Sequence, residues 1–248
     1  MAKIHWVSAP NVSEENRAAN SVVIAALGLP KHRGAGRLAV VGGGPSINDH
    51  IEELKSWDGS IWAVNGTINW CIDHGIDAWF YTADSSPLCN WTYDLTRVRR
   101  AALTPDVSPE LVRHLQANGG FVTLTAPLES GPTSVNASDF LSIEAGYEHV
   151  TYFGAEGSFA EAALNAPTHA FQSFPIEDWV IAEVGGEYFK TKAEFISQSI
   201  MLANTINAFP NIYSEKSGGL LRAMIQHGPD YDIPMVATTL YAKLKDAA

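Results

Sequence analysis

Arg37-Leu38-Ala39-Val40-Val41-Gly42-Gly43-Gly44-Pro45-Ser46-Ile47 is the stretch on which the reading of the whole chain turns. An apolar run, Leu38 to Val41, breaks into three glycines; Pro45, Ser46 and a helical pattern through Ile47, Ile51 and Leu54 follow. That is the pattern of a buried strand, a tight turn and a helix N-terminus. Glycines let the backbone come close to a ligand without a Cβ in the way. Proline is tolerated in the first helical turn, and the free N–H groups there favour an anion, usually a phosphate. The same residues also make an ordinary strand-to-helix turn. Assigning Gly42, Gly43, Gly44, Pro45 and Ser46 to phosphate binding therefore leans on what the rest of the chain brings to them.

Outward from this loop the chain alternates strand and helix. On the N-terminal side, Asn11 to Leu27 reads as a helix with Val22, Val23, Ala26 and Leu27 as its apolar stripe, stopped by Gly28 and Pro30. Lys31-His-Arg-Gly-Ala-Gly36 is a polar connector, or part of a substrate entrance. Beyond the loop, strands are expected at Ser60 to Val64, Ala78 to Thr82, within Arg97 to Leu103, at Phe121 to Thr125 and at Val150 to Phe153. Between them lie a brief helical turn, Ile68 to His74, and helices at Ser108 to Asn118 and from about Ser134 to Gly146. Strands separated by helices of this length imply βαβ crossovers and a mostly parallel sheet. Ligands on such sheets sit outside the carboxyl ends of the strands. Gly42 to Ser46, Asn65, Asp84 and Glu156 all fall at such ends.

The last third changes character. Trp179 to Val184 and Glu187 to Lys190 around Gly185-Gly186 have the signature of a hairpin. Thr191-Lys-Ala-Glu194 reads as a capping box opening a helix to about Ala208. A strand at Asn211 to Ser214 and a helix at Leu220 to Ile225, opened by Ser217-Gly218-Gly219, close the pattern. The expected fold is α/β: a Rossmann-like, doubly wound, mostly parallel sheet. Residues 1–36 form an N-terminal helix and linker, and 37–248 a single nucleotide-binding domain with a hairpin insert at about 175–190.

Composition narrows the partners. At 248 residues, 46% hydrophobic and 17% charged, the chain can bury a full core. A net charge of −11 argues against duplex nucleic acid or an acidic membrane, since phosphate neutralisation needs clustered Lys and Arg. A small phosphorylated ligand with a divalent cation stays open. Two cysteines, Cys71 and Cys89, suit neither a disulfide framework nor a zinc cluster. The N-terminus Met1-Ala-Lys-Ile-His-Trp-Val lacks an apolar h-region and no run reaches a membrane span, so a cytoplasmic location is expected and the Asn-x-Ser/Thr matches at Asn11, Asn65, Asn90 and Asn136 are taken as chance.

Several residues have the chemistry for a site. Asp84, before Ser85-Ser86-Pro87, could hold Mg²⁺ against phosphates or cap its own turn. Asn65 before Gly66 supplies a left-handed turn, or an amide for a base or ribose. Glu156, in Phe-Gly-Ala-Glu-Gly-Ser-Phe159, would be a second carboxylate for a cation or acid/base work. His169 is a capping or surface residue, or the general base if it faces the cleft. Ser130 to Ser134 and Ser217 to Gly219 are further small-residue loops for phosphate or for a tight connection. Of Trp57, Trp62, Trp70, Trp79 and Trp91, only Trp91 sits in a polar loop where it could stack on a planar ligand. No nucleophile elbow, Walker loop or His-Glu-x-x-His is present.

At Gly42-Gly-Gly-Pro-Ser-Ile47, Ala63-Val-Asn65 and Tyr81-Thr-Ala-Asp84, the chain resembles the archaeal hydroxymethyl-dihydropterin diphosphokinase-like family, which is broad and common in bacteria and phages. The likeness continues through Ser134-Val135, Val150-Thr-Tyr-Phe-Gly154 and Ser217-Gly-Gly-Leu-Leu221, covering most of Arg37 to Met224. The same order of loop, strand-Asn and strand-Asp is similar to bacterial sialyltransferases that use a cytidylyl-sugar donor. In those a His after a Gly-x-Asp strand is the base, a place only His169 matches; Gly154-Ala-Glu156 departs by one methylene, and Gly43 stands where a polar residue often sits. The resemblance implies a nucleotide-dependent transferase with Mg²⁺ and ATP or a nucleotide sugar. Diphosphoryl or phosphoryl transfer to a hydroxymethyl-type acceptor is the family default; a nucleotide-sugar glycosyltransferase and a non-catalytic nucleotide-binding protein are the alternatives. The implied site is Asp84, His169 and Glu156 for catalysis, Asp84 and Glu156 for metal, and Gly42 to Ser46, Asn65 and Ser134 for the nucleotide. Partners are then a small-molecule nucleotide and an acceptor, with a homo-oligomer compatible and no membrane.

Overall fold

The computed structural model describes residues 13–88, 93–127, 133–158, 179–227 and 235–236. Helix α1 (Glu14–Leu27) precedes β1 (Arg37–Val41), a 3₁₀ segment (Pro45–His50) and α2 (Ile51–Lys55). There follow β2 (Ser60–Val64), α3 (Thr67–Asp73), β3 (Trp79–Thr82), β4 (Arg100–Leu103), α4 (Pro109–Ala117), β5 (Phe121–Leu124), α5 (Ser134–Ala145) and β6 (His149–Phe153). The hairpin β7 (Trp179–Val184) and β8 (Glu187–Lys192), α6 (Ala193–Ala208), β9 (Tyr213–Glu215), α7 (Gly219–His227) and β10 (Met235–Val236) complete the order.

Seven strands form one parallel sheet in the order β5-β4-β3-β2-β1-β6-β9. The expected Rossmann-like sheet is therefore present, and its chain order reverses between β1 and β6. That reversal opens a crevice above the carboxyl ends of those two strands. The hairpin is also present, with β10 added antiparallel beside β7.

Both sheet faces are covered, which is why the strands read as near-continuous apolar runs. Along β1, Leu38 and Val40 face a core with α5, α6, α7 and the hairpin, while Ala39 and Val41 face one with α3 and α4. Trp62 stacks on Tyr81 at 4.5 Å between ring centres in the first core, an arrangement worth about 0.5–1.5 kcal/mol beyond its buried area. Helix α4 shows local and global cues agreeing: the Ser108 hydroxyl accepts the Glu110 amide, Pro109 fits the first turn, and Leu111, Val112 and Leu115 are buried.

Helix α1 is held differently. The Asn16 amide group donates to the carbonyls of Ser85 and Asp106, and that of Asn20 to those of Pro105 and Val107. Arg17 Nε meets the fully buried Asp106 carboxylate at 2.6 Å. Val22, placed on the expected apolar stripe, is 70% exposed; only Val23 of that stripe is buried. Polar clamps on the loops after β3 and β4, together with Val23 and the half-buried Ile24, dock this helix.

Two local readings differ from the sequence expectation, and one is sharpened. Thr191 is still in β8, opposite Val180, and its hydroxyl donates to the Gly157 carbonyl, so the capping box does not form and Lys192 caps α6 without a side-chain bond. The Asp94 carboxylate accepts the Thr96 amide at 3.0 Å and closes a 3₁₀ turn, and β4 starts at Arg100, within the expected Arg97 to Leu103. After the glycine loop the chain makes 3₁₀ turns before one turn of α-helix. Among the described residues no helix is long and apolar enough to cross a membrane.

The segment Lys31 to Gly36 is a connector. The His32 amide bonds the Leu124 carbonyl at 2.6 Å, the Gly34 amide bonds the Ala145 carbonyl at 2.8 Å, and Gly34 packs on the Tyr147 ring. The His32 ring, 1% exposed, lies edge-on to Trp62 and Trp79. The Thr123 hydroxyl donates to the Ala101 carbonyl, so it accepts from His32 Nδ1–H at 2.8 Å, and His32 Nε2 accepts from the Tyr147 hydroxyl at 3.2 Å. A neutral ring is satisfied at both nitrogens, and burial pushes it from 6.5 down to about 4. Between those two values the unfolded chain binds a proton that the folded chain refuses. Stability should then fall as pH drops from 6.5 to 4, by up to about 3 kcal/mol from this group. Urea titrations at pH 7 and pH 4.5 on the protein and on His32→Gln test this; the variant should show a clearly smaller loss.

Candidate functional site

The site grows from the crevice between β1 and β6. The Gly42 amide donates to the Phe153 carbonyl and the Gly44 amide to the Gly154 carbonyl, both at 2.8 Å, so the two strand-end turns are laced together. This closeness is what the glycines are for. A β-carbon on Gly42 would strike the Gly154 carbonyl, one on Gly44 the Glu156 carboxylate, and one on Gly154 the Ile47 side chain. Gly43, Gly44, Pro45 and Ser46 stay partly exposed at the rim.

Glu156 is the centre of this arrangement. Its Oε1 accepts the Ser46 amide at 2.7 Å, and its Oε2, lying against Gly44, is buried without a hydrogen-bond partner. The residue is 4% exposed. Burial raises its carboxyl above the usual range; the Ser46 hydroxyl and amide oppose that rise and the Glu215 carboxylate adds to it. Its carbonyl accepts the Leu221 amide of α7 at 2.9 Å, and the Gly219 backbone closes on its stem.

The amides of the glycine loop are thus mostly committed inside the protein. Gly42, Gly44 and Ser46 donate to Phe153, Gly154 and Glu156, and Pro45 has no N–H. A loop expected to cradle phosphate on its backbone donors carries an internal carboxylate at its helix start. The third small-residue loop is a tight connection of the same kind. The Glu215 carboxylate accepts the Ser217 and Gly218 amides at 2.7 and 3.0 Å, and the Ser158 hydroxyl accepts the Leu220 amide at 3.2 Å.

One strand over, Asn65 holds a left-handed φ of 52°, a conformation Asn tolerates better than most side chains. Its amide donates to the Tyr81 carbonyl at 3.0 Å, while its Oδ1 is buried with no partner. At the next strand, Asp84 is half-buried and its Oδ1 accepts the Ser86 amide at 2.8 Å. The turn-capping role thus stands, whatever else the carboxylate does. Ser134, at the start of α5, accepts the Ala83 amide on its hydroxyl at 3.0 Å and so pins that helix to the end of β3. Tyr93, packed over Gly66, has its phenol raised by burial and then by the Asp84 charge. Nothing in its spacing marks it for that position.

The strand ends of β3 and β6 are separated by β2 and β1, three spacings or roughly 14 Å along the sheet. Asp84 and Glu156 each serve their own turn, and among the described residues no group of three or more His, Cys, Asp or Glu side chains gathers as a metal site. Mg²⁺ commonly uses one or two carboxylates with substrate phosphates. Asp84, half-exposed, fits that need; on Glu156 the ion would have to displace the Ser46 amide or reach a sealed oxygen. Cys71 is buried, and burial pushes its thiol up to about 12. His169, Trp91, Cys89 and the loop 128–132 lie outside the described residues. A second concavity of about 370 Å³ opens beside Ser85 and Pro87, between α1 and the start of α4, with Glu15, Asn16, Glu110 and Arg113 on its walls.

No family model matches the chain, and no curated protein matches it. Among solved structures it is similar to the MAf glycosyltransferase from Magnetospirillum magneticum AMB-1, with a TM-score of 0.53 and 15% identity. The match covers 87% of this chain and 36% of that one, so the chain spans about a third of that protein's length. At this identity the likeness shows the fold.

Gly44→Ala tests the packing of the site. Its β-carbon has no room beside the Glu156 carboxylate and the Gly154 carbonyl, so stability should drop by about 1–3 kcal/mol in urea unfolding. An unchanged midpoint would mean that Glu156 does not lie on this loop.

Proposed function

We propose that the chain is a transferase that takes a nucleotide sugar as donor and binds it over the carboxyl edge of the sheet, at the β1/β6 reversal. One observation carries this reading. At that edge Glu156 Oε2 and Asn65 Oδ1 are buried polar atoms without a protein partner, beside a loop whose rim stays accessible. Native proteins seldom leave such atoms unpaired, and a functional site is a standard reason when they do. A crevice at the reversal of strand order is also where open α/β sheets bind ligands. The likeness in fold to a glycosyltransferase favours sugar transfer over the diphosphokinase-like reaction.

Sugar transfer breaks the bond from the anomeric carbon to the leaving phosphate oxygen while an acceptor oxygen attacks that carbon and loses its proton. The chain has to align the two partners, take that proton and tolerate charge on the leaving group. Asn65 offers a carboxamide to orient the donor. Ser134 keeps the start of α5 against the end of β3, fixing the wall on which Asp84 stands. Asp84 would hold Mg²⁺ where the reaction uses it, and the ion would neutralise the departing phosphates. The proton acceptor is His169, a role resting on the sialyltransferase resemblance.

Thermal melts with Mg²⁺ and a panel of cytidylyl and uridylyl sugars, ATP and free nucleotides test the reading. A matched donor at about 100 times its dissociation constant stabilises by about 2.7 kcal/mol, a shift of roughly 5–10 °C at this size. Release of free nucleotide on adding hydroxyl acceptors should accompany it. Asp84→Ala should lower turnover at least tenfold and flatten its dependence on Mg²⁺. An ATP shift with AMP release onto a hydroxymethyl acceptor would instead establish the diphosphokinase reading, and a donor shift without turnover on any acceptor would leave a binding protein.

A further inference from the structure

The glycine loop looks like a phosphate cradle in sequence and carries its own anion in structure. The Ser46 amide, the donor such a loop would aim at phosphate, is bound by Glu156 Oε1 at 2.7 Å. Gly42 and Gly44 have given their amides to β6, and Pro45 has none to give. The remaining carboxylate oxygen lies against Gly44 and lacks a partner. A phosphate oxygen can only accept a hydrogen bond; at Ser46 it finds the amide already bound, and the ionised carboxylate repels it. A neutral sugar hydroxyl at the rim meets no such repulsion.

We propose that Glu156 is a specificity-determining residue that fills the anion position of the glycine loop, so that a neutral, hydroxyl-bearing part of the donor, and not its phosphates, lies against Gly43 to Ser46. This rests on the nucleotide-sugar reading above. It orients the donor along the edge: a sugar ring, either the ribose or the transferred sugar, at the β1/β6 crevice, and the phosphates towards Asp84. Gly44 and Gly154 are then required by the carboxylate and the laced turns, with no phosphate contact needed to explain them.

The test follows backbone amide shifts by ¹⁵N NMR on the full chain. Inorganic pyrophosphate, without Mg²⁺, should leave the wild-type Ser46 amide unmoved. In Glu156→Ala, which frees that amide and removes the charge, pyrophosphate should bind at least tenfold more tightly than in the wild type and shift Ser46. In Glu156→Gln, which keeps the cap, the gain should be under threefold. A wild-type Ser46 amide that titrates with pyrophosphate overturns the proposal, as does an Ala variant that folds, judged by its amide dispersion, and gains nothing. Because the wild-type arm needs no variant, a misfolded Ala protein leaves the question decided. A donor arm then places the neutral part. CMP or UMP moving Gly43 assigns the ribose there, movement only with the matching nucleotide sugar assigns the transferred sugar, and movement with neither sinks the orientation. If no nucleotide or nucleotide sugar binds anywhere, the donor reading fails, while the pyrophosphate arm still judges Glu156.

Discussion

The β1/β6 end of the carboxyl edge is organised around one contact, the Glu156 carboxylate seated on Gly44 and accepting the Ser46 amide. It joins the first strand of the sheet to the strand laid down on its other side more than a hundred residues later in the chain. Without side chains at Gly42, Gly44 and Gly154 the two turns can be laced by backbone bonds. The 3₁₀ segment begins with its second amide already satisfied. A carboxylate buried in this way is costly unless it is hydrogen-bonded or protonated, and the amide bond together with a raised carboxyl pKa describes that compromise.

The fold was legible because its physics is local. Strands buried on both faces have to be apolar end to end, and glycine, Asn-Gly or Asp-Ser-Ser-Pro had to follow where the chain turned. Those cues located the strands of the large sheet to within a few residues. What failed to show was whatever depended on distant partners. Thr191 has every local mark of a capping residue, yet the Gly157 carbonyl claims its hydroxyl. Val22 sits on an apolar stripe, yet α1 is held through Asn16, Arg17 and Asn20 on a loop some 85–90 residues away. No periodicity encodes such a clamp.

The candidate site divides along the same line. Position was readable: strand-end rules placed the glycine loop, Asn65, Asp84 and Glu156 on one edge, and the structure has them there. Role was not. Gly-Gly-Gly-Pro-Ser reads as a place for an anion, and the Ser46 amide at that place is bound by the Glu156 carboxylate. Only a contact between residues 46 and 156 reveals that. Asp84 and Glu156, pairable on paper, stand on strands separated by two others, a consequence of sheet order that no single segment records.

A nucleotide sugar bound over the β1/β6 crevice would perturb the residues that line it. Mapping amide shifts of the ¹⁵N-labelled chain on titration with its stabilising nucleotide sugar tests that most directly. The largest changes are expected at Gly43, Asn65, Asp84 and Ala155 to Gly157. Changes confined to the concavity between α1 and α4, around Glu15, Ser108 and Arg113, or to the surroundings of His32, would contradict it.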